Sequence, residues 1–177
     1  MSEHCMIDIE TFSTAPNAVV STIGFVKFNP YSTEIYDKLY IRINVDDQTA
    51  IGRDISDSTI EWWGNQSPEA QEEVFSENDR TSLADFIAVF PGYIKSSSKI
   101  WSQGALDFVI LENMFKQQGI PTPWAFWNVM DSRTIFNTFG DPRKYDKTAH
   151  NALNDCLIQV RALQEVFAKH NITEGMK

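Results

Sequence analysis

Segment 5–10 (CMIDIE) is a short apolar stretch interrupted by two acids, Asp8 and Glu10, a pattern that predicts a buried strand carrying charge. Segments 19–28 (VVSTIGFVKF) and 34–44 (EIYDKLYIRIN) are rich in β-branched and aromatic residues, and Asn29-Pro30-Tyr31-Ser32 between them has turn chemistry. Together the three predict antiparallel strands joined by hairpins. Segment 46–57 is polar and irregular, and predicts no regular element. Segments 58–64 and 68–75 predict short helices, the second with Pro68 in its first turn.

Further on, Leu83, Phe86, Ile87 and Phe90 recur at helical spacing behind Thr81-Ser82, and Pro91 predicts a stop or a kink. Segment 99–102 (KIWS) predicts a fourth strand. Segment 107–118 predicts a helix with Phe108, Leu111 and Phe115 on one face, closed by Gly119 and Pro121. Segment 125–129 predicts a fifth strand, 131–139 a short helix and 150–169 a long one. Three strands, helices, a strand and helix, a strand and final helices make an α/β chain with a central mixed sheet of five strands flanked by helices. At 177 residues, with no repeat and no linker, one domain over 1–177 is expected.

Composition narrows the function classes. Hydrophobic residues are 42% and charged residues 22%, which fits a globular chain and excludes a disordered or fibrous one. Lys plus Arg number 15 against 24 Asp plus Glu, a net charge of −9, which disfavours a broad basic face gripping duplex phosphates. Nucleic acid stays possible where bound cations reverse the local sign. Cys5 and Cys156 are too few for a disulfide scaffold and predict a reducing compartment. The first residues lack a signal-peptide pattern and no run is long and apolar enough to span a bilayer, so a cytoplasmic protein without a membrane partner is expected.

Strand alternation puts Asp8 and Glu10 on one face, where two unpaired buried carboxylates would cost several kcal/mol or take up a proton. A cation or a basic partner would resolve that cost. Equally, Asp8 could end a strand while Glu10 faces solvent. Asp107, at a strand-to-helix junction, fits a helix N-cap. On one regular helix His150 and Asp155 would lie about 140° apart, so His150 would have to reach a shared site from the helix mouth or the loop before it. Asp155 alone is an ordinary acid near a helix start. His4 and His170 are expected to be structural or exposed, and Cys156 a small buried hydrophobe.

In combination these residues resemble the DnaQ-like 3′-to-5′ exonucleases of the ribonuclease-H-like fold, in the branch with four acids and a histidine. The matching pieces are Asp8-Ile9-Glu10, Asp107, and His150 followed by Asp155, in an agreeing order of elements. The chain is also similar to short stand-alone members from phages and bacteria, a group characterised as exoribonucleases. That likeness lies in Asp8-Ile9-Glu10-Thr11, in 59–66 (TIEWWGNQ) and in Asp131-Ser132-Arg133-Thr134, and it spans residues 5–167.

The resemblance implies metal-dependent removal of nucleoside 5′-monophosphates from the 3′ end of single-stranded nucleic acid, with RNA favoured. Asp8, Glu10, Asp107 and Asp155 would hold two divalent cations, Mg²⁺ or Mn²⁺, with Asp8 bridging them, since hard oxygen ligands suit these ions. His150 would be the general base. The alternatives are an exodeoxyribonuclease acting on single-stranded DNA and a catalytically silent binding module. The resemblance further implies a bacterial or phage-infected cell, and relatives that form homodimers.

Candidate substrate contacts are Thr11, Phe12, Trp62, Trp63 and Gln66. Adjacent residues on a helix differ by about 100°, so one of Trp62 and Trp63 is expected in the core and the other as a base-stacking platform. Phe12 would act as a wedge. Gln66 and Arg133 would contact bases or phosphate, unless they only clothe a helix surface.

Overall fold

The computed structural model describes residues 3–143 and 150–175. Strands β1 (His4–Thr11), β2 (Val20–Phe28) and β3 (Ile35–Ile43) come first. Helices α1 (Val45–Ala50), α2 (Asp57–Gly64) and α3 (Pro68–Phe75) follow, then β4 (Arg80–Thr81), α4 (Leu83–Ile94), β5 (Lys99–Ser102) and α5 (Leu106–Gln117). The described chain ends with a 3₁₀ turn (Phe126–Asn128), β6 (Val129–Asp131), α6 (Ser132–Phe139) and α7 (Ala152–Lys169). The sheet order is β4-β3-β2-β1-β5-β6. The β1–β2 and β2–β3 pairs are antiparallel, and β1–β5, β5–β6 and β3–β4 are parallel. The three-stranded antiparallel start and the mixed α/β sheet agree with the expected ribonuclease-H-like fold.

Four details differ from the sequence reading. The sheet has six strands among the described residues, not five. Arg80 draws the two-residue β4 onto the edge by donating to the carbonyls of Ile43 (2.8 Å) and Val74 (2.9 Å), and two residues are too few to show alternation. The expected strand 125–129 is displaced to Val129–Asp131, because Phe126 and Trp127 form a 3₁₀ turn with strongly exposed rings. Part of the irregular segment 46–57 is α1, capped by Asn44, whose side chain accepts from the Asp47 N–H. Pro91 does not stop α4, which continues to Ile94.

Alternation along β1 divides the core. Cys5 and Ile7 pack with Ile23 and Phe25 beneath α4 and α5, against Phe86, Phe90, Leu111 and Phe115. Met6, Val26, Phe28 and Trp101 pack on the opposite face against Val160, Leu163 and Phe167 of α7. Asp8 and Glu10 share the parity of Met6 and so face α7. A third cluster joins Phe12, Val19 and Trp63 to Ala70 and Val74, seating α2 and α3 at the end of β1. No helix among the described residues is long and apolar enough to cross a membrane.

Candidate active site

The acids converge where β1, α5 and α7 meet. One carboxylate oxygen from each of Asp8, Glu10 and Asp155 lies within 4.8 Å of the others. β5 ends at Ser102, and beyond its pairing with β1 the Ile9 N–H donates to Asp107 Oδ1 at 3.1 Å. That bond fixes Asp107 beside the acidic strand. The capping expectation for Asp107 is corrected: the N-cap of α5 is Ala105, with no side-chain cap bond, and Asp107 lies in the first turn. The loop before α5 is held by Asp131, which accepts from the Gly104 N–H (2.8 Å) while capping α6 through the Arg133 N–H and the Thr134 hydroxyl.

α7 can bring Asp155 this close because β2 has no side chain where the helix crosses it. A Cβ on Gly24, the residue paired with Asp8, would lie 2.4 Å from the Ala152 carbonyl and 2.5 Å from the Leu153 nitrogen. Gln159, one turn beyond Asp155, donates from Nε2 to Asp8 Oδ1 at 3.0 Å. Neither residue was found from the sequence. The signal for Gln159 was its i,i+4 spacing from Asp155; Gly24 offered only a glycine inside a strand pattern.

Burial and mutual repulsion dominate the electrostatics. Burial, followed by the charges of Asp107, Glu10 and Asp155, holds the Asp8 carboxyl well above the usual range, against the opposing bond from Gln159. Glu10 is raised by burial and then by Asp155, Asp107 and, more weakly, Glu73. Burial pushes Asp107 up to about 7 despite backbone hydrogen bonds and the charge of Arg133. Asp155 is raised by burial, with the His150 N–H and the charges of His150 and Arg143 opposing. Such a cluster favours protons or hard cations, and its all-oxygen donor set fits divalent cations of the Mg²⁺ or Mn²⁺ type.

His150 sits in the connection before α7, one of the two placements the sequence allowed, while Asn151 caps the helix by accepting from the Asn154 N–H. Its N–H donates to Asp155 Oδ2 at 3.0 Å. Its φ of 77° lies in the left-handed region, which costs a non-glycine residue about 1–3 kcal/mol and persists where surrounding contacts over-determine it. The imidazole stands edge-to-face with Trp62 and Trp63, at centroid distances of 5.0 and 5.6 Å.

The substrate-contact expectations fare unevenly. Phe12 is 4% exposed and stacks on Phe75, so it has no free face for a wedge. Trp63 is the core member of the tryptophan pair, 2% exposed, with Nε1 donating to the Thr11 carbonyl at 2.9 Å. Trp62, 46% exposed, keeps a surface that a base could reach. The Thr11 hydroxyl donates to the Ser13 carbonyl, and the Gln66 amide donates to the Trp62 carbonyl on the helix surface. His4 is buried and accepts from Trp101 Nε1 at 2.9 Å, and Cys156 is fully buried.

Comparison with known proteins gives the family and the fold of the chain. The family model described as the 3′-5′ exoribonuclease Rv2179c-like domain matches residues 3–167. An exodeoxyribonuclease of Enterobacteria phage T4 is 33% identical over 155 residues, covering 73% of this chain and 68% of that protein. The nuclease domain of 3′hExo, a DEDDh family member bound to rAMP, superposes with a TM-score of 0.64 at 16% identity, covering 95% of this chain and 92% of that one. E. coli exonuclease I in its complex with single-stranded DNA gives 0.71 at 13% identity, covering 97% of this chain but only 42% of its own. The structural likenesses establish the fold, and the match over residues 3–167 establishes the lineage: the chain belongs to the Rv2179c-like 3′-5′ exoribonuclease domain family, a DnaQ-like 3′-to-5′ exonuclease.

Proposed function

We propose that the chain is a metal-dependent exonuclease that hydrolyses single-stranded nucleic acid from a free 3′ end to nucleoside 5′-monophosphates, with RNA as the favoured substrate. The observation carrying this reading is the half-buried carboxylate cluster of Asp8, Glu10 and Asp155, with Asp107 fixed beside it. Asp8, Glu10, Asp107 and Asp155 would hold two divalent cations, Mg²⁺ or Mn²⁺. When bound, these supply Lewis-acid neutralisation of charge on the scissile phosphate and the leaving 3′ oxygen. His150 accepts the proton of the attacking water on its imidazole. The water oxygen bonds to phosphorus as the P–O3′ bond breaks; the leaving 3′ oxygen takes a proton from solvent to become the fresh 3′-hydroxyl of the shortened strand, and the nucleoside 5′-monophosphate departs.

The family description supports RNA, and the phage relative, an exodeoxyribonuclease, supports DNA as the second reading. A time course on matched 5′-labelled RNA and DNA oligonucleotides with Mg²⁺ or Mn²⁺ tests both. A ladder receding from the 3′ end is expected, faster on RNA; a faster DNA ladder establishes the second reading. Full-length bands in every lane leave the silent binding module. Asp8→Asn is expected to abolish cleavage, and His150→Ala to slow it about 10²- to 10⁴-fold. A cytoplasmic homodimer completes the proposal. The exposed Phe126–Trp127 pair beside edge strand β6 supports the dimer, and light scattering tests it.

A further inference from the structure

We infer that Trp62 and Trp63 are positioning residues that orient the His150 imidazole beside the acid cluster. The inference rests on the reading of His150 as the general base. The backbone bond from His150 to Asp155 fixes where the residue begins but leaves both side-chain torsions free. The indoles supply the missing constraint. The Trp62–Trp63 centroids are 4.8 Å apart at 74°, Trp62–His150 are 5.0 Å apart at 86°, and Trp63–His150 are 5.6 Å apart at 84°. Three rings, each nearly perpendicular to the other two, form a corner in which the imidazole meets an aromatic neighbour on two sides.

Consecutive placement of the two tryptophans explains the corner. Neighbouring positions on α2 point about 100° apart, and that offset presents two indoles at nearly right angles to a third ring. Trp63 is the anchor. It is almost fully buried, and its Nε1 donates to the carbonyl of Thr11, the residue after Glu10, so the corner is referenced to the strand that carries Asp8 and Glu10. Trp62 closes the outer side, which accounts for a half-exposed tryptophan at this point on the surface. A base platform and a histidine brace make opposite kinetic demands on the same side chain.

The test measures kcat and KM of the metal-loaded protein on a single-stranded oligonucleotide for Trp62→Ala, Trp62→Phe, Trp63→Phe, His150→Ala and the Trp62→Ala/His150→Ala double variant. Trp62→Ala is expected to lower kcat about 10- to 100-fold with KM little changed. Trp62→Phe should recover most of that loss, and Trp63→Phe, which keeps a ring but loses the Thr11 bond, should fall between. In the double variant the tryptophan change should cost nothing further, because the group it orients is gone. In metal-free protein, the His150 ring protons should move toward random-coil NMR shifts in Trp62→Ala. A raised KM at unchanged kcat, an additive loss in the double variant, or unmoved His150 resonances would each overturn the inference. His150→Ala with undiminished kcat would overturn the base reading itself, and the positioning role with it.

Discussion

Gln159 Nε2 donates to Asp8 Oδ1 at 3.0 Å, joining the middle of α7 to the central acidic strand. Asp155 and Gln159 lie four residues apart on one helix face, so the same helix delivers a carboxylate to the cluster and a donor that orients another carboxylate. Gln159 is 3% exposed, and its Oε1 makes no hydrogen bond among the described residues. Leaving a buried amide oxygen unpaired costs stability, about 1–3 kcal/mol for a typical group. The donor end of the same amide is spent on Asp8, so an orienting role on that carboxylate is the expectation to test.

Gln159→Leu separates the two effects. Loss of an outer partner of a ligating carboxylate typically weakens metal binding or activity about 10- to 100-fold. Leucine removes the orphaned oxygen along with the donor, so the metal-free protein should keep its Tm within about 2–4 °C, the shift that ~1 kcal/mol produces in a chain of this size. Titration with Mn²⁺ and thermal melts of the metal-free variant check both. Unaltered Mn²⁺ affinity would sink the orienting role.

Gly24→Ala should damage stability and activity together. The added Cβ meets the backbone of Ala152 and Leu153 at 2.4–2.5 Å, and a helix backbone cannot swing aside as a side chain can. Overpacking of this kind costs about 1–3 kcal/mol, a Tm loss of several degrees, and relief requires the start of α7 to retreat from β2, taking Asp155 with it. Gly92→Ala in α4 is the control. Nothing among the described residues lies within 4 Å of its Cβ position, so a gain of about 0.5–1 kcal/mol from helix propensity is expected. Thermal melts and exonuclease rates of both variants decide it.

The buried thiols make a simpler case. Burial pushes the Cys5 thiol up to about 12 and the Cys156 thiol well above its usual value, and both side chains are fully buried. Thiolate is the reactive species, so neither should react with a disulfide reagent in the native state. Both should titrate once denaturant unfolds the chain. Fast labelling of folded protein would contradict the packing of Cys5 and Cys156 on opposite faces of the sheet.

What the sequence made legible follows from which interactions are local. Two acids in an apolar strand announced a charged, buried face, because alternation fixes the shared side of Asp8 and Glu10 without reference to the rest of the chain. Resemblance was needed to bring in Asp107, His150 and Asp155, because the two acids each have an ordinary helix-end reading and His150 is off the Asp155 face of a regular helix. The 3₁₀ turn at Phe126–Asn128 was missed because exposed aromatics mimic an apolar strand, and β4 because a side chain, Arg80, creates it. Gly24 and the left-handed His150 stayed hidden for a deeper reason. Their roles exist only once α7 lies on β2, a relation no local pattern encodes.

The raised carboxyls give the metal-free protein a pH dependence with a definite sign. Between the usual Asp value near 4 and about 7, folded Asp107 holds a proton that the unfolded chain has released, so raising pH across that window destabilises the metal-free fold. Asp8, Glu10 and Asp155 are displaced in the same direction. His4 works oppositely. Burial pushes it down to about 4 from its ordinary value near 6.5, so its contribution to stability grows as pH rises through that interval. His4 sits on Trp101 at the far end of β1 from the acids, so its contribution cancels when melts with and without cation are subtracted. Cation binding must displace the protons on the cluster, so the gain in Tm from a fixed millimolar concentration of Mg²⁺ or Mn²⁺ should grow from about pH 5 to about pH 8. Asp107→Asn should shrink that growth, and Asp8→Asn should remove most of it while stabilising the metal-free protein at neutral pH, since one of the repelling buried charges is gone. A cation effect that is flat with pH, or that survives Asp8→Asn intact, would place the ion elsewhere on this acidic chain.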